Sequence, residues 1–192
     1  MTKTAAVIIA DGCEEVEALS PVDVLRRLGG KIDMVGLNKL QVTSAHGVTL
    51  TCDKVVDDSL LDYDMVIFPG GTTGAKNLRD DEKLQELMKK RAEQKKWNAA
   101  MCAGPTAFAH YGLLDNNRYT VFPGLEEQVN AEAKNTTHTN NIVEIDQDAH
   151  LLTSRGPSTA FAYSYAIAET LGFDTTELKE AMQYNYLIDN IQ

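Results

Sequence analysis

The sequence predicts an α/β protein with a mostly parallel sheet covered by helices on both faces. Two observations carry that expectation. Short apolar runs alternate with segments of helical periodicity, and the runs AAVIIA, MVIF and AAMC are apolar at consecutive positions. A strand that is apolar on both sides is buried on both sides, and strand–helix alternation is the pattern of parallel sheets. A chain of 192 residues is long enough for one domain with a sizeable core, and a single domain over 1–192 is expected.

The elements follow in order. Ala5 to Ala10 reads as a buried strand. CEEVEALSPVDVLRRLGG then sets Val16, Leu19, Val22, Leu25 and Leu28 at helical spacing, with Gly29-Gly30 as the stop. Pro21 lies inside it, and Ser20-Pro21-x-Asp23 resembles a fresh helix start, so a kink or restart is expected there. KIDMVGL is a second strand, and QVTSAHGVTLTCD reads as a hairpin around His46-Gly47. DMVIFPGG is a strand that ends at Pro69-Gly70-Gly71, before a long polar helix over roughly Asp81 to Lys96. NAAMC is the next buried strand, and AGPTAFAHYG is a helix stopped by Gly112. Leu113 to Asn141 is less regular. NIVEID and HLLTS form a hairpin across Gln147-Asp148. STAFAYSYAIAETLG is an apolar helix, and TTELKEAMQYNYLI is a last one.

Composition narrows the function. The net charge of −10 disfavours nucleic-acid binding and suits a small or neutral partner. The basic run from Lys89 to Lys96 reads as the solvated face of a helix. No apolar run approaches the roughly 20 residues of a membrane span, and no signal peptide is visible at the start. The odd cysteine set Cys13, Cys52 and Cys102 favours free thiols in a reducing compartment, hence a cytoplasmic protein.

Ligand crevices of parallel sheets lie beyond the carboxyl ends of the strands. Three loops compete for that place: ADGCEEVE, FPGGTTGA and CAGP. Cys102 closes an apolar strand directly before a helix, flanked by Ala100, Ala103 and Gly104, the small-residue pattern of a nucleophile elbow. Pro105 suits the first helical turn. The helix end and its free N–H groups are expected to lower the thiol pKa; a small buried cysteine is the plain alternative. Cys13 and Cys52 read as structural, with Cys13 close enough to be a bystander or a resolving thiol. Glu14 and Glu15 suit a first helical turn. Glu17, one turn past Glu14 between Val16 and Ala18, is a carboxyl expected to be half-buried and protonated, able to donate to a thiolate or exchange a proton with substrate. Gly70, Gly71 and Gly74 permit close backbone approach, and the N–H groups of Gly71 and Ala103 are candidate oxyanion donors. No Gly-Lys-Ser/Thr or G-x-G-x-x-G pattern is present in the right place, and no histidine stands at metal-ligand spacing, so neither cofactor nor metal is expected. His110, about 12 Å along the helix from Cys102 at 1.5 Å per residue, is a poor partner for it.

Four segments, ADGCEEVEALSPVDVLRRLG, VIFPGGTTGAKNL, AAMCAGPTAF and LLTSRGPSTAF, resemble the ThiJ/PfpI superfamily in order and spacing, within it the branch of the parkinsonism-associated protein deglycase and its bacterial relatives. The resemblance covers nearly the whole chain. It implies a flavodoxin-like three-layer sandwich that forms a homodimer, for which the Tyr-rich region (Tyr163, Tyr165, Tyr184, Tyr186) offers faint support. It matches Cys102 to an oxidation-sensitive elbow cysteine and Glu17 to the protonated glutamate that bonds it. Gly71 and Ala103 match backbone donors near the sulfur, and Arg155 matches a position near the pocket; Gly70, Gly104 and Phe122 complete the expected lining.

The resemblance implies a stress-protective protein that acts without cofactor on small aldehydes or glycated substrates, as a glyoxalase III or deglycase with a Cys nucleophile. The alternative is a redox sensor or chaperone using the same thiol. Two departures bear on this. The peptidase branch places a histidine directly after the nucleophile, where this chain has Ala103, so a peptidase or amidase is the weaker reading. A thiazole-biosynthesis role is weaker still. Many deglycase-branch members carry a histidine before the proline matching Pro123, where this chain has Phe122, which cannot shuttle a proton.

Overall fold

A computed structural model describes residues 2–191. Seven strands form the main sheet: β1 (Thr4–Ile9), β2 (Lys31–Gly36), β5 (Lys54–Val55), β6 (Met65–Phe68), β7 (Trp97–Met101), β10 (Val143–Asp146) and β11 (Leu151–Ser154), in the order β10-β11-β7-β6-β1-β2-β5. All neighbours are parallel except β10 and β11. β3 (Gln41–Thr43) pairs with β4 (Thr49–Thr51) around His46-Gly47, and β8 (Arg118–Tyr119) with β9 (Thr137–His138). The helices are α1 (Glu15–Arg27), α2 (Thr72–Arg79), α3 (Glu82–Glu93), α4 (Pro105–His110), α5 (Glu126–Glu132), α6 (Ala160–Thr170), α7 (Thr176–Ala181) and α8 (Tyr184–Asn190).

The two-sided apolar strands account for the layers. Along β1, Ala6 and Ile8 enter one core with side chains of α2, α3, α4 and α5, while Ala5, Val7 and Ile9 enter the other with α1 and α6. This is the expected flavodoxin-like sandwich. The chain runs from β1 outward to β2 and β5, then returns to the other side of β1 with β6, so the order reverses between β1 and β6. A crevice opens at such a switch point, past the carboxyl ends of the strands.

Four expectations are corrected. α1 runs unbroken through Pro21 without a restart. Proline removes only one N–H bond, and this stretch is held by its buried side chains against α6. The glycine-rich segment after β6 passes into helix α2 at Thr72 instead of remaining a loop. The last helical stretch is two helices, because Gln183 adopts a left-handed φ of 60° between α7 and α8. The basic run is not wholly solvated: Arg91 is fully buried.

Candidate active site at the Cys102 elbow

Cys102 follows β7 directly, and its φ of 59° is left-handed. That conformation costs a non-glycine residue roughly 1–2 kcal/mol, so the surroundings must hold it. Three backbone bonds do. Cys102 N–H donates to the Ser154 carbonyl at 3.0 Å, Phe122 N–H donates to the Cys102 carbonyl at 3.0 Å, and Gly104 N–H closes the turn onto Met101 at 2.8 Å. Small neighbours are required. A Cβ at Gly70 would stand 2.6 Å from the Cys102 Cβ, and one at Gly104 would stand 2.9 Å from the Met101 carbonyl oxygen.

The loops after β1 and β6 lace together over this point. Glu14 N–H donates to the Gly70 carbonyl at 3.1 Å, and Gly74 N–H to that of Gly12 at 3.1 Å. Gly71, at a φ of 84°, has no room for a side chain, since its Cβ would lie 2.3 Å from the Gly12 oxygen. The N–H groups of Gly71 and Ala103 consequently reach the Cys102 sulfur.

Glu17 is brought in from α1. Glu14 caps that helix by accepting from Glu17 N–H at 2.8 Å, which fixes the first turn. The Glu17 side chain is fully buried, its Oε2 accepts from Gly70 N–H at 2.7 Å, and its Oε1 has no hydrogen-bond partner. Burial pushes the Glu17 carboxyl up to about 7, against the opposing pull of bonds from Cys102 and Gly70. Glu14 adds a smaller upward push, so burial, not carboxyl crowding, is the main cause.

The expected lowering of the Cys102 thiol is overturned. Burial and the Glu17 carboxylate push it up to about 12, more than the Gly71 and Ala103 N–H groups pull it down. The helix α4 behind it is only six residues long. A proton on Glu17 removes the carboxylate's share of that upward push, while burial still holds the thiol above its ordinary value, so the two titrations are coupled.

The remaining candidates fall in different places. The Phe122 backbone braces the elbow, while its ring is largely exposed and lies against Gly156. Arg155 follows Ser154, but its guanidinium reaches Asn140 at 3.4 Å, with no hydrogen bond to Glu17. His110 pairs with Glu132 at 2.7 Å, away from Cys102. Cys13 and Cys52 are buried free thiols, each pushed up mainly by burial, and Cys13 feels Cys52 and not Cys102. A cleft of about 230 Å³ adjoins Ala103 and is lined by Thr72, Lys76, Thr106 and Leu125. A larger recess of about 360 Å³ at Asp11 and Lys39 holds no thiol. Glu14, Glu15 and His46 bring ligand atoms within 4.8 Å of one another, an approach the Glu15–His46 ion pair already explains.

Sequence reasoning missed the Ser154 carbonyl and the Phe122 N–H as the elbow's clamps. The Ser154 contact was within reach, because a strand added in parallel to β7 must end beside Cys102. The Phe122 contact had no signal, since it comes from an irregular segment.

A flavodoxin-like sheet with a left-handed cysteine between strand and helix, and a buried glutamate against it, defines a cysteine-elbow α/β protein. The chain belongs to the DJ-1/PfpI family, which residues 3–170 match. It is 35% identical over 172 residues to the Parkinson disease protein 7 homolog of Danio rerio, covering 88% of this chain and 89% of that one. A protein named a deglycase from Pyrococcus abyssi is 27% identical over 159 residues, covering 82% and 92%. The crystal structure of Drosophila melanogaster DJ-1beta superposes with a TM-score of 0.87 at 30% identity, covering 95% and 98%.

Proposed function

We propose that this protein acts on reactive carbonyls without a cofactor, as a glyoxalase or deglycase centred on Cys102. The observation that supports this best is the convergence of Glu17 and the N–H groups of Gly71 and Ala103 on one sulfur. The relative named a deglycase points the same way. The Cys102 sulfur adds to the aldehyde carbon of methylglyoxal to form a hemithioacetal, while the backbone N–H groups hold the oxygen as it gains charge. Glu17 carries the proton from that carbon to its neighbour through the enediol, leaving a lactoyl thioester. Water cleaves the thioester, giving lactate and the free thiol. A glycated side chain presents a comparable adduct. The test is methylglyoxal consumption by the protein beside its Cys102 and Glu17 variants.

A second reading, a redox sensor or chaperone, is favoured by the same polar surroundings, since Glu17 and two N–H groups can stabilise a sulfenate or sulfinate on Cys102. Dilute peroxide is expected to add oxygen to Cys102 before Cys13 or Cys52, read by peptide mass mapping. Uniform oxidation of all three would reject this reading.

We place the protein in the cytoplasm as a homodimer, with small carbonyl compounds as partners and no nucleic acid or membrane. Among the described residues, no helix is long and apolar enough to cross a membrane. Tyr163 and Tyr165 do not serve the dimer, being buried in the chain's own core. Its contact is assigned instead to Val16 and Leu19 of α1 and Phe161 of α6, apolar side chains left 46%, 36% and 40% exposed on two packed helices. Leu19→Asp is expected to halve the mass seen by sedimentation. An unchanged mass would move the contact elsewhere.

A further inference from the structure

We infer that the cleft beside the elbow is an anion subsite, in which Lys76 and Arg79 of α2 hold a carboxylate carried by the carbonyl substrate. The subsite stands on its own residues; only the substrate class rests on the carbonyl reading of Cys102.

One face of α2 builds the cleft. Thr72, Ala75, Lys76 and Arg79 recur at helical spacing, and all four line the space of about 230 Å³. Side chains of α4 and α5 complete the wall, and Ala103 lines it too. The Ala103 N–H reaches the Cys102 sulfur, so the cleft begins one residue from the reacting atom. Charge sets it apart. The chain carries 28 acidic and 18 basic residues, yet this cleft is lined by two cations and no carboxylate. The larger recess at Asp11 has the opposite balance, three aspartates against Lys39.

Arg79 is held in place. Its Nη2 donates to Glu132 Oε1 at 2.9 Å, and Oε2 of the same carboxylate pairs with His110 at 2.7 Å. The guanidinium is thereby fixed before any ligand arrives. Its Nε–H is buried without a partner, a costly state that an incoming acceptor relieves. Lys76 is exposed and pairs with no acid among the described residues. Two cations less the charge of Glu132 leave one positive charge. That matches a carboxylate and falls short of a phosphate dianion. Cations in a last helical turn also steady the helix dipole, but that effect asks for no particular face. Here both lie on the face that lines the cleft.

The test compares alkylation of Cys102 by iodoacetate and by iodoacetamide, read at its own peptide. The reagents differ chiefly in the carboxylate, so the ratio of their rates reports the subsite and cancels any change in the thiol itself. Lys76→Ala is expected to lower the iodoacetate-to-iodoacetamide ratio about threefold, the range of an exposed charge contact, and Lys76→Glu to lower it further. Arg79→Gln is expected to lower it about tenfold, with unfolding midpoints to establish that it is folded. Lys83→Ala, which removes the same charge from the exposed side of α3, should keep the wild-type ratio. Acetate at constant ionic strength should slow the iodoacetate reaction of the wild type more than that of Lys76→Glu. For the substrate class, the KM for 4,5-dioxopentanoate, a 2-oxoaldehyde ending in a carboxylate, should lie below that for methylglyoxal. Equal ratios in the wild type and the Lys76 and Arg79 variants would overturn the subsite. Stronger protection by inorganic phosphate than by acetate would overturn the carboxylate assignment. Shifted ratios with no consumption of either aldehyde would leave the subsite standing and remove the carbonyl reading, with the substrate class that rests on it.

Discussion

Cys102→Ser is expected to lower methylglyoxal consumption to background, and Glu17→Gln to lower it by about 10²–10⁴-fold, the range of a positioned acid–base group. Serine keeps the small side chain the elbow demands, so the fold should survive. Its hydroxyl, however, is far harder to ionise than a thiol, and Glu17, at about 7, is too weak a base to activate it. Glutamine at Glu17 can still accept the Gly70 N–H at the position now 2.7 Å away, which preserves the loop. It can neither give nor take a proton. Because the two residues act as one unit, the double variant should be no slower than Cys102→Ser alone. Lactate formation followed by an enzyme-coupled assay checks this. Equal rates for wild type and both variants would refute the carbonyl chemistry, whereas selective oxidation of Cys102 would leave the redox reading standing.

Arg91→Met is expected to cost about 1–3 kcal/mol of stability, the range for buried polar groups left without a partner. The guanidinium donates from Nε to Asn98 at 2.9 Å, from Nη1 to the carbonyl of Tyr63 at 2.9 Å and to that of Leu60, and from Nη2 to the carbonyl of Trp97 at 2.8 Å. It thereby ties α3 to the start of β7 and to the turn before β6. Burial lowers its pKa to about 10, so it stays charged at neutral pH. Methionine fills the space but leaves four acceptors without donors. Lys89→Ala and Lys90→Ala, on the exposed side of the same helix, should stay within about 0.5 kcal/mol of wild type. Urea unfolding of the three variants decides it; a loss below about 1 kcal/mol for Arg91→Met would mean that water replaces the lost donors.

The contrast between Arg91 and its lysine neighbours marks the limit of reading a charge run. In the sequence, KKRAEQKK is one basic stretch. Helical spacing places Arg91 with Leu84, Leu87 and Met88 on the inner side, and all four are buried. Whether an arginine there is tolerated depends on carbonyls from Leu60, Tyr63 and Trp97, two of them about thirty residues away along the chain. Pro21 teaches the converse lesson: a strong local signal for a helix break yields to packing against α6.

The order of elements, the two-faced strands and the elbow at Cys102 were legible because they depend on local patterns. Consecutive apolar residues bury a strand from both sides, and small residues around a cysteine before Pro105 permit a strained turn. Tertiary structure alone decided the electrostatics. Glu17 and Cys102 are 85 positions apart in the sequence. Only their burial against one another sets which of them gives up its proton first. The lowered thiol expected from a helix end gave way because burial, and after it a neighbouring carboxylate, outweigh the end of a six-residue helix. Charge energies depend on distance and on exclusion of water, and neither quantity is written in the order of residues.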